Sequence, residues 1–92
     1  MSLDTLRLSI EEKDRAIITL IAERMSIVEE IAREKERQGL PVRIPDQANA
    51  VLDRAIAESE KLDLDPEPIR EIFEILVRMS EEFQEQWRQK KE

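Results

Sequence analysis

Arg24 stands in an apolar run, Ile17, Leu20, Ile27 and Ile31, at a position where the spacing calls for another apolar side chain, and Lys13 falls on the same seam. A charge on such a seam needs a reason. A salt bridge between helices, a long stem that snorkels to water and a polar residue that fixes the register of paired helices are three structural ones. A bound anion is the fourth. Lys35 follows Arg24 at a separation that, on an α-helix, is about 20° around the axis and about 16 Å along it. Two long cationic side chains so placed can lean towards one anion, although Lys35 also suits a helix C-terminus as an ordinary stabilising cation. Ser80 and Gln84 are spaced i, i+4 among Phe73, Leu76 and Val77, so both point inward, as a polar contact between helices or towards a ligand. Arg7 precedes Arg24 by about 26 Å of straight helix. It is too far to share a small ligand with Arg24 of its own chain, but across a dimer it is not.

The composition narrows what such residues can do. Neither Cys nor His occurs among the 92 residues, so thiolate and imidazole catalysis, disulfides and ordinary zinc sites are excluded, and nothing calls for a metal or cofactor. The net charge of −7 opposes nucleic-acid binding, which rests on a surplus of Lys and Arg. A small anion in a local basic cluster remains compatible with it. The apolar stretches are only a few residues long and Met1 to Thr5 resembles no signal peptide, so neither membrane insertion nor export is expected. The expectation is a soluble cytoplasmic protein.

Helices must position these side chains. Charged residues make up 40% and hydrophobic ones 40%, with a single Gly and few aromatics, a balance that favours an all-α chain. Gly39, Pro41 and Pro45 mark one loop, and Pro66 and Pro68 mark another. From about Ser2 to Gln38, Leu3, Leu6, Ile10, Ile17, Leu20, Ile27 and Ile31 recur at helical spacing, which predicts one long amphipathic helix. Asp46 is expected to cap a second helix to about Lys61, with Val51, Leu52, Ala55 and Ile56 on its apolar face. Asp65 as N-cap and Pro66 at the first position open a third, with a buried stripe of Ile69, Ile72, Phe73, Leu76, Met79, Phe83 and Trp87.

Length then bears on assembly. A helix of some 35 residues is about 50 Å long, whereas a compact domain of this size has a radius of gyration of about 12 Å. No Pro or Gly kinks the first helix, so its apolar stripe is expected to continue against a second copy in an intertwined homodimer.

The residues also carry a family resemblance. Leu6-Arg7, Ile10, Asp14, Leu20-Ile21-Ala22-Glu23-Arg24, Ile31-Ala32 and Lys35, followed by Gly39-Leu40-Pro41-Val42, resemble the first helix and loop of the all-helical chorismate mutases. Leu64-Asp65, Ile72-Phe73, Ile75-Leu76 and the Ser80/Gln84 pair continue the resemblance across nearly the whole chain. It implies a single domain over residues 1–92, three helices per chain in a domain-swapped homodimeric bundle. It also implies an isomerase of aromatic amino acid biosynthesis that converts chorismate to prephenate by an intramolecular Claisen rearrangement. By position, Arg24 and Arg7 of a partner chain resemble the carboxylate-binding arginines, Lys35 and Gln84 the pair at the ether oxygen, and Ser80 an accessory donor. Val51, Val77 and Ile31 would be apolar walls.

One stretch departs from the pattern. Where many members read acid, two variable residues, Arg, Glu, this chain has Ile44, Pro45, Asp46, Gln47, Ala48. Gln47 can donate hydrogen bonds to substrate without charge, whereas Ile44 and Ala48 cannot contact the ring hydroxyl as acids would. Asp46 or Asn49 compensates only if the helix start shifts register. The Ile-Pro loop resembles that of the isochorismate-pyruvate lyases, whose chemistry releases pyruvate, and a non-enzymatic helical dimerisation or regulatory module is the remaining alternative.

Overall fold

The computed structural model describes residues 1–90, so the last two residues of the expected 1–92 domain lie outside the described residues. The described chain holds three helices: α1 (Leu3–Gln38), α2 (Pro45–Lys61) and α3 (Pro66–Lys90). Ser2 caps α1, its hydroxyl accepting from the Thr5 amide at 3.1 Å. At the other end Gly39 takes the left-handed conformation (φ 71°), and the Gly39 and Leu40 amides close back on the Glu36 and Lys35 carbonyls. A residue with a Cβ is strained at that angle, so the one glycine sits where the chain must turn immediately after Lys35.

The expected boundaries hold, with one correction at the start of α2. Asp46 is not its cap: Ile44 occupies that position without a side-chain hydrogen bond, Pro45 takes the first helical position, and Asp46 lies in the first turn. Proline's fixed φ sets the start two residues earlier, and Asp46 there favours the positive end of the helix dipole instead. Asp65 does act at the start of α3, its Oδ1 accepting from the Glu67 amide at 3.1 Å.

α3 packs against both other helices, while the backbones of α1 and α2 do not approach one another. The cleft they leave has α3 as its floor and the loop after Gly39 at one end. The chain measures 55 × 25 × 15 Å with a radius of gyration of 16.4 Å, well above the roughly 12 Å of a compact domain this long. α1 is the reason, since it runs unbroken and only its C-terminal half is packed. Every residue from Met1 to Leu20 is exposed, while Val28 and Ala32 are buried.

The buried set within the chain is small: Val28, Ala32, Val42, Ala55 and Leu76 among apolar residues, with Ser59, Ser80 and Gln84 among polar ones. Leu6, Ile10, Ile17, Leu20, Ile27 and Ile31 of the α1 stripe are all exposed within the chain. In α3 the expected stripe is only partly covered. Leu76 is buried, Phe73, Phe83 and Trp87 are half-buried, and Ile72 and Met79 are exposed. Those two lie on the edge of the face that α1 and α2 cover, and the centre of that face goes to Ser80 and Gln84.

Candidate functional site

The cleft between α1 and α2 contains a cavity of ≈430 Å³. Arg24, Val28, Ile31 and Lys35 line it from α1, Leu40, Val42 and Ile44 from the loop, Gln47, Ala48, Val51 and Arg54 from α2, and Val77, Ser80, Glu81 and Gln84 from α3. Every residue expected to meet a ligand within one chain is therefore on one wall or another of the same space. Arg7 is not: it is exposed on the free half of α1.

Helical periodicity explains the convergence on α1. Arg24, Val28, Ile31 and Lys35 follow at intervals of four, three and four, which is one face over three turns. Arg24 is held by α3: its Nη1 donates to Ser80 Oγ at 2.6 Å and to the Leu76 carbonyl at 3.3 Å, while Ser80 donates its own proton to the Leu76 carbonyl at 2.9 Å. Arg24 pairs with no carboxylate among the described residues, so the interhelical salt bridge is absent here. Partial burial lowers its pKa, and the positive charge of nearby Arg54 lowers it further; a guanidinium stays protonated regardless. Its charge is thus fixed, aimed and uncompensated.

Lys35 turns back from the last turn of α1 to the loop, where its Nζ donates to the Val42 carbonyl at 2.6 Å. That one bond fixes the ammonium at the cavity wall and leaves two of its three protons for something else. Burial lowers its pKa below the ordinary lysine value, Glu81 opposes that shift, and Arg88 adds to it. The loop carrying Val42 is itself fastened from α3, where Arg88 Nη2 donates to the Leu40 carbonyl at 2.9 Å and Glu81 Oε1 lies 3.6 Å from Arg43 Nε. Gln84 is only 5% exposed, and among the described residues its Oε1 is buried without a hydrogen-bond partner. A buried, unsatisfied amide is costly. On the wall of the cavity that Lys35 also lines, an orphan amide oxygen suits a ligand that donates a hydrogen bond to it.

Of the substitutions in the α2 region, Ile44 and Ala48 contribute apolar surface and Gln47 contributes an amide. Neither Asp46 nor Asn49 lines the cavity, because Pro45 fixes a register that turns both away. Two charged lining residues were not expected. Arg54 lies two turns beyond Gln47 on the same α2 face, and that spacing was a readable signal. Glu81 is 100° around α3 from Ser80 and would read as surface; it lines the cavity because the loop folds over that flank. Together Arg24, Lys35 and Arg54 against Glu81 leave two surplus positive charges in a chain of net charge −7. Low-dielectric walls concentrate such a field on an anionic ligand.

A second, largely apolar cavity of ≈510 Å³ adjoins the first, sharing Arg24, Val51 and Arg54 and extending along α2 and α3 to Leu62, Leu64, Ile69 and Phe73.

The sequence matches the family model described as chorismate mutase type II over residues 6–85. Against the T-protein of Enterobacter agglomerans it is 32% identical over 78 residues, 85% of this chain and 21% of that protein. Against the T-protein of Haemophilus influenzae it is 30% identical over 79 residues, 86% of this chain and 21% of that one. The chorismate mutase of Methanocaldococcus jannaschii is 30% identical over 82 residues, which cover 89% of this chain and 83% of that enzyme. The chain thus spans about a fifth of the T-proteins' length and most of the archaeal protein's.

Proposed function

The chain belongs to the chorismate mutase type II family, and on that premise we propose that it isomerises chorismate to prephenate in the cavity between α1 and α2. The observation that carries the reading is the cavity itself, where Arg24, Lys35, Gln47, Ser80 and Gln84 meet around one dianion-sized space. The reaction breaks the ether C–O bond and forms a C–C bond within one molecule, and the ether oxygen becomes a carbonyl oxygen. No proton, electron or nucleophile is exchanged, so a chain without His or Cys lacks nothing the step requires.

The site must hold a dianion in the compact conformation in which the two carbon termini meet, and stabilise charge that develops on the ether oxygen. Arg24, held against Ser80 and Leu76, binds one carboxylate. Lys35 and the Nε2 group of Gln84 donate to the ether oxygen. Ser80, whose own proton goes to the Leu76 carbonyl, positions Arg24 rather than serving as the accessory donor that the resemblance implies. Gln47 is an uncharged donor at the opposite wall. Val51, Val77 and Ile31 press on the carbon skeleton.

The second carboxylate goes to Arg7 of a second copy. The apolar stripe on the free half of α1 has nothing in its own chain to cover it, and the apolar cavity beside Arg24 has no element of its own chain to fill it. An intertwined homodimer answers both: the partner's α1 fills that cavity, and its Arg7 arrives beside Arg24. The working unit is thus a single domain over residues 1–92 and its copy. Among the described residues no helix is long and apolar enough to cross a membrane, and the proposed setting is the cytoplasm.

Ile44 and Ala48 leave the α2 wall without an acid, which favours a second reading, elimination of pyruvate from isochorismate at the same site. Separate incubation with chorismate and isochorismate decides between them. The proposal expects prephenate from chorismate and no pyruvate from either. Pyruvate from isochorismate alone moves the assignment to the lyase, and no turnover of either leaves a non-enzymatic helical module.

A further inference from the structure

The substrate of the proposed reaction carries, besides two carboxylates and an ether, a secondary hydroxyl on its ring, and a hydroxyl taken out of water needs an acceptor for its proton. The walls offer few. The side chains of Ile44 from the loop and of Ala48 and Val51 from α2 present only carbon. Ser80 Oγ is already occupied by Arg24 and gives its proton to Leu76. The amide oxygens of Gln47 and Gln84 can accept, but as neutral groups they form a weaker bond than a carboxylate does.

Glu81 remains, the only carboxylate lining the cavity among the described residues. It has no obvious place in a site for a dianion, since its charge repels both substrate carboxylates. It is also more than an outward surface residue, for its side chain is 22% exposed and one oxygen lies 3.6 Å from Arg43 Nε at the loop. That contact holds the carboxylate at the rim and leaves its second oxygen free to accept. Arg43 and Lys35 on either side offset the repulsion that it would otherwise exert.

We infer that Glu81 is a specificity-determining residue that accepts the substrate's ring hydroxyl, so the acidic contact missing from the α2 wall comes from α3 across the cavity. The inference rests on the proposed reaction. Two other roles would explain Glu81 without substrate contact, fastening the loop through Arg43 and keeping Lys35 charged. Neither depends on whether the substrate has a hydroxyl.

The test measures kcat and KM for the wild type, Glu81→Ala, Glu81→Gln and Arg43→Ala on chorismate and on an analogue whose ring hydroxyl is replaced by hydrogen. Glu81→Ala should lower kcat/KM on chorismate by about 10- to 100-fold, mainly through KM, as loss of a hydrogen bond to a charged group does. On the analogue it should be neutral or improve turnover, because only the repulsion is removed. Glu81→Gln, which keeps an acceptor and the shape, should fall between and controls for folding together with circular dichroism. Arg43→Ala should affect both substrates by the same small factor. An equal loss on both substrates from Glu81→Ala, or no loss on chorismate, overturns the inference while leaving the mutase reading intact. A wild-type protein that turns over neither substrate overturns the reading itself and the inference with it.

Discussion

The two halves of α1 carry the same apolar periodicity and meet opposite fates. From Ile21 to Gln38 the helix lies on α3 and the loop: Val28 and Ala32 are buried and Arg24 and Lys35 are fixed by hydrogen bonds at 2.6 Å. From Leu3 to Leu20 nothing covers it, although Leu6, Ile10, Ile17 and Leu20 keep the spacing. The packed half has exchanged apolar side chains for cations on the face that α3 and the loop cover. The free half has kept its apolar residues, with Lys13 on the same seam as Arg24 and Arg7 about 100° around the axis from it. On the proposed reading one half builds a site that needs a second carboxylate ligand, and the other carries the cation, Arg7, that would supply it to a second copy. The difference teaches that periodicity reports burial but not the identity of the partner that buries.

The largest effect should fall on the packed half. If Lys35 meets the ether oxygen as proposed, Lys35→Ala removes the ammonium from where charge grows during the step, and kcat should fall by about 10²–10³ or more. A raised KM with unchanged kcat would place Lys35 in ground-state binding and weaken the contrast. Steady-state kinetics on prephenate formation decides.

On the free half the matching change is Ile17→Ala. Packed against a second copy, Ile17 should cost at least about 2 kcal/mol when truncated, and the loss should appear in the monomer–dimer equilibrium by sedimentation, with Tm rising with protein concentration. On a solvated helix the same change stays within about 0.5 kcal/mol, which would end the dimer argument.

Lys35 also sets a pH limb. Its pKa lies below the ordinary lysine value of about 10.4 because it is partly buried, so kcat should fall as pH rises through that lowered pKa and the ammonium deprotonates. Stability moves the other way. Between the lowered folded pKa and the unfolded one the unfolded chain binds more protons, so the Lys35 contribution to stability improves with rising pH. Since Glu81 is the neighbour that raises this pKa, Glu81→Gln should shift the limb to lower pH. An unmoved limb would separate the two groups.

The smallest expected effect lies far from either half. Asp63 ends α2 in the left-handed conformation at φ 56°, where a Cβ costs about 1–2 kcal/mol that glycine avoids. Asp63→Gly should therefore raise the free energy of unfolding slightly, by up to about 1 kcal/mol after glycine's own entropy loss, and leave kcat unchanged. A change in kcat would mean that the end of α2 bears on the cavity.

Local signals made most of this legible. The three helices follow from Gly39 and the two proline pairs, and Arg24, Lys35, Ser80 and Gln84 stand out because a polar residue on an apolar face has few explanations. Gln47 was found by resemblance. Glu81 was not legible, because on α3 it lies one step off the inward face, and only the folded loop makes that flank a wall. The α2 start was misplaced by two residues because Asp46 is a good cap by type, and Pro45 before it takes the first helical position by its fixed φ. The exposed edge at Ile72 and Met79 was also hidden, since an apolar stripe looks the same whether its own chain or another covers it.

The central claim is that each site takes Arg24, Lys35 and Gln84 from one chain and Arg7 from another. Mixing two inactive variants, Arg7→Ala and Lys35→Ala, tests it most directly. After chain exchange by mild denaturation and refolding, each mixed dimer should contain one site with both residues intact and one with neither, so prephenate formation should recover to about a quarter of the wild-type rate per chain. If exchange is verified and the rate stays at the sum of the two separate variants, the sites are not shared between chains.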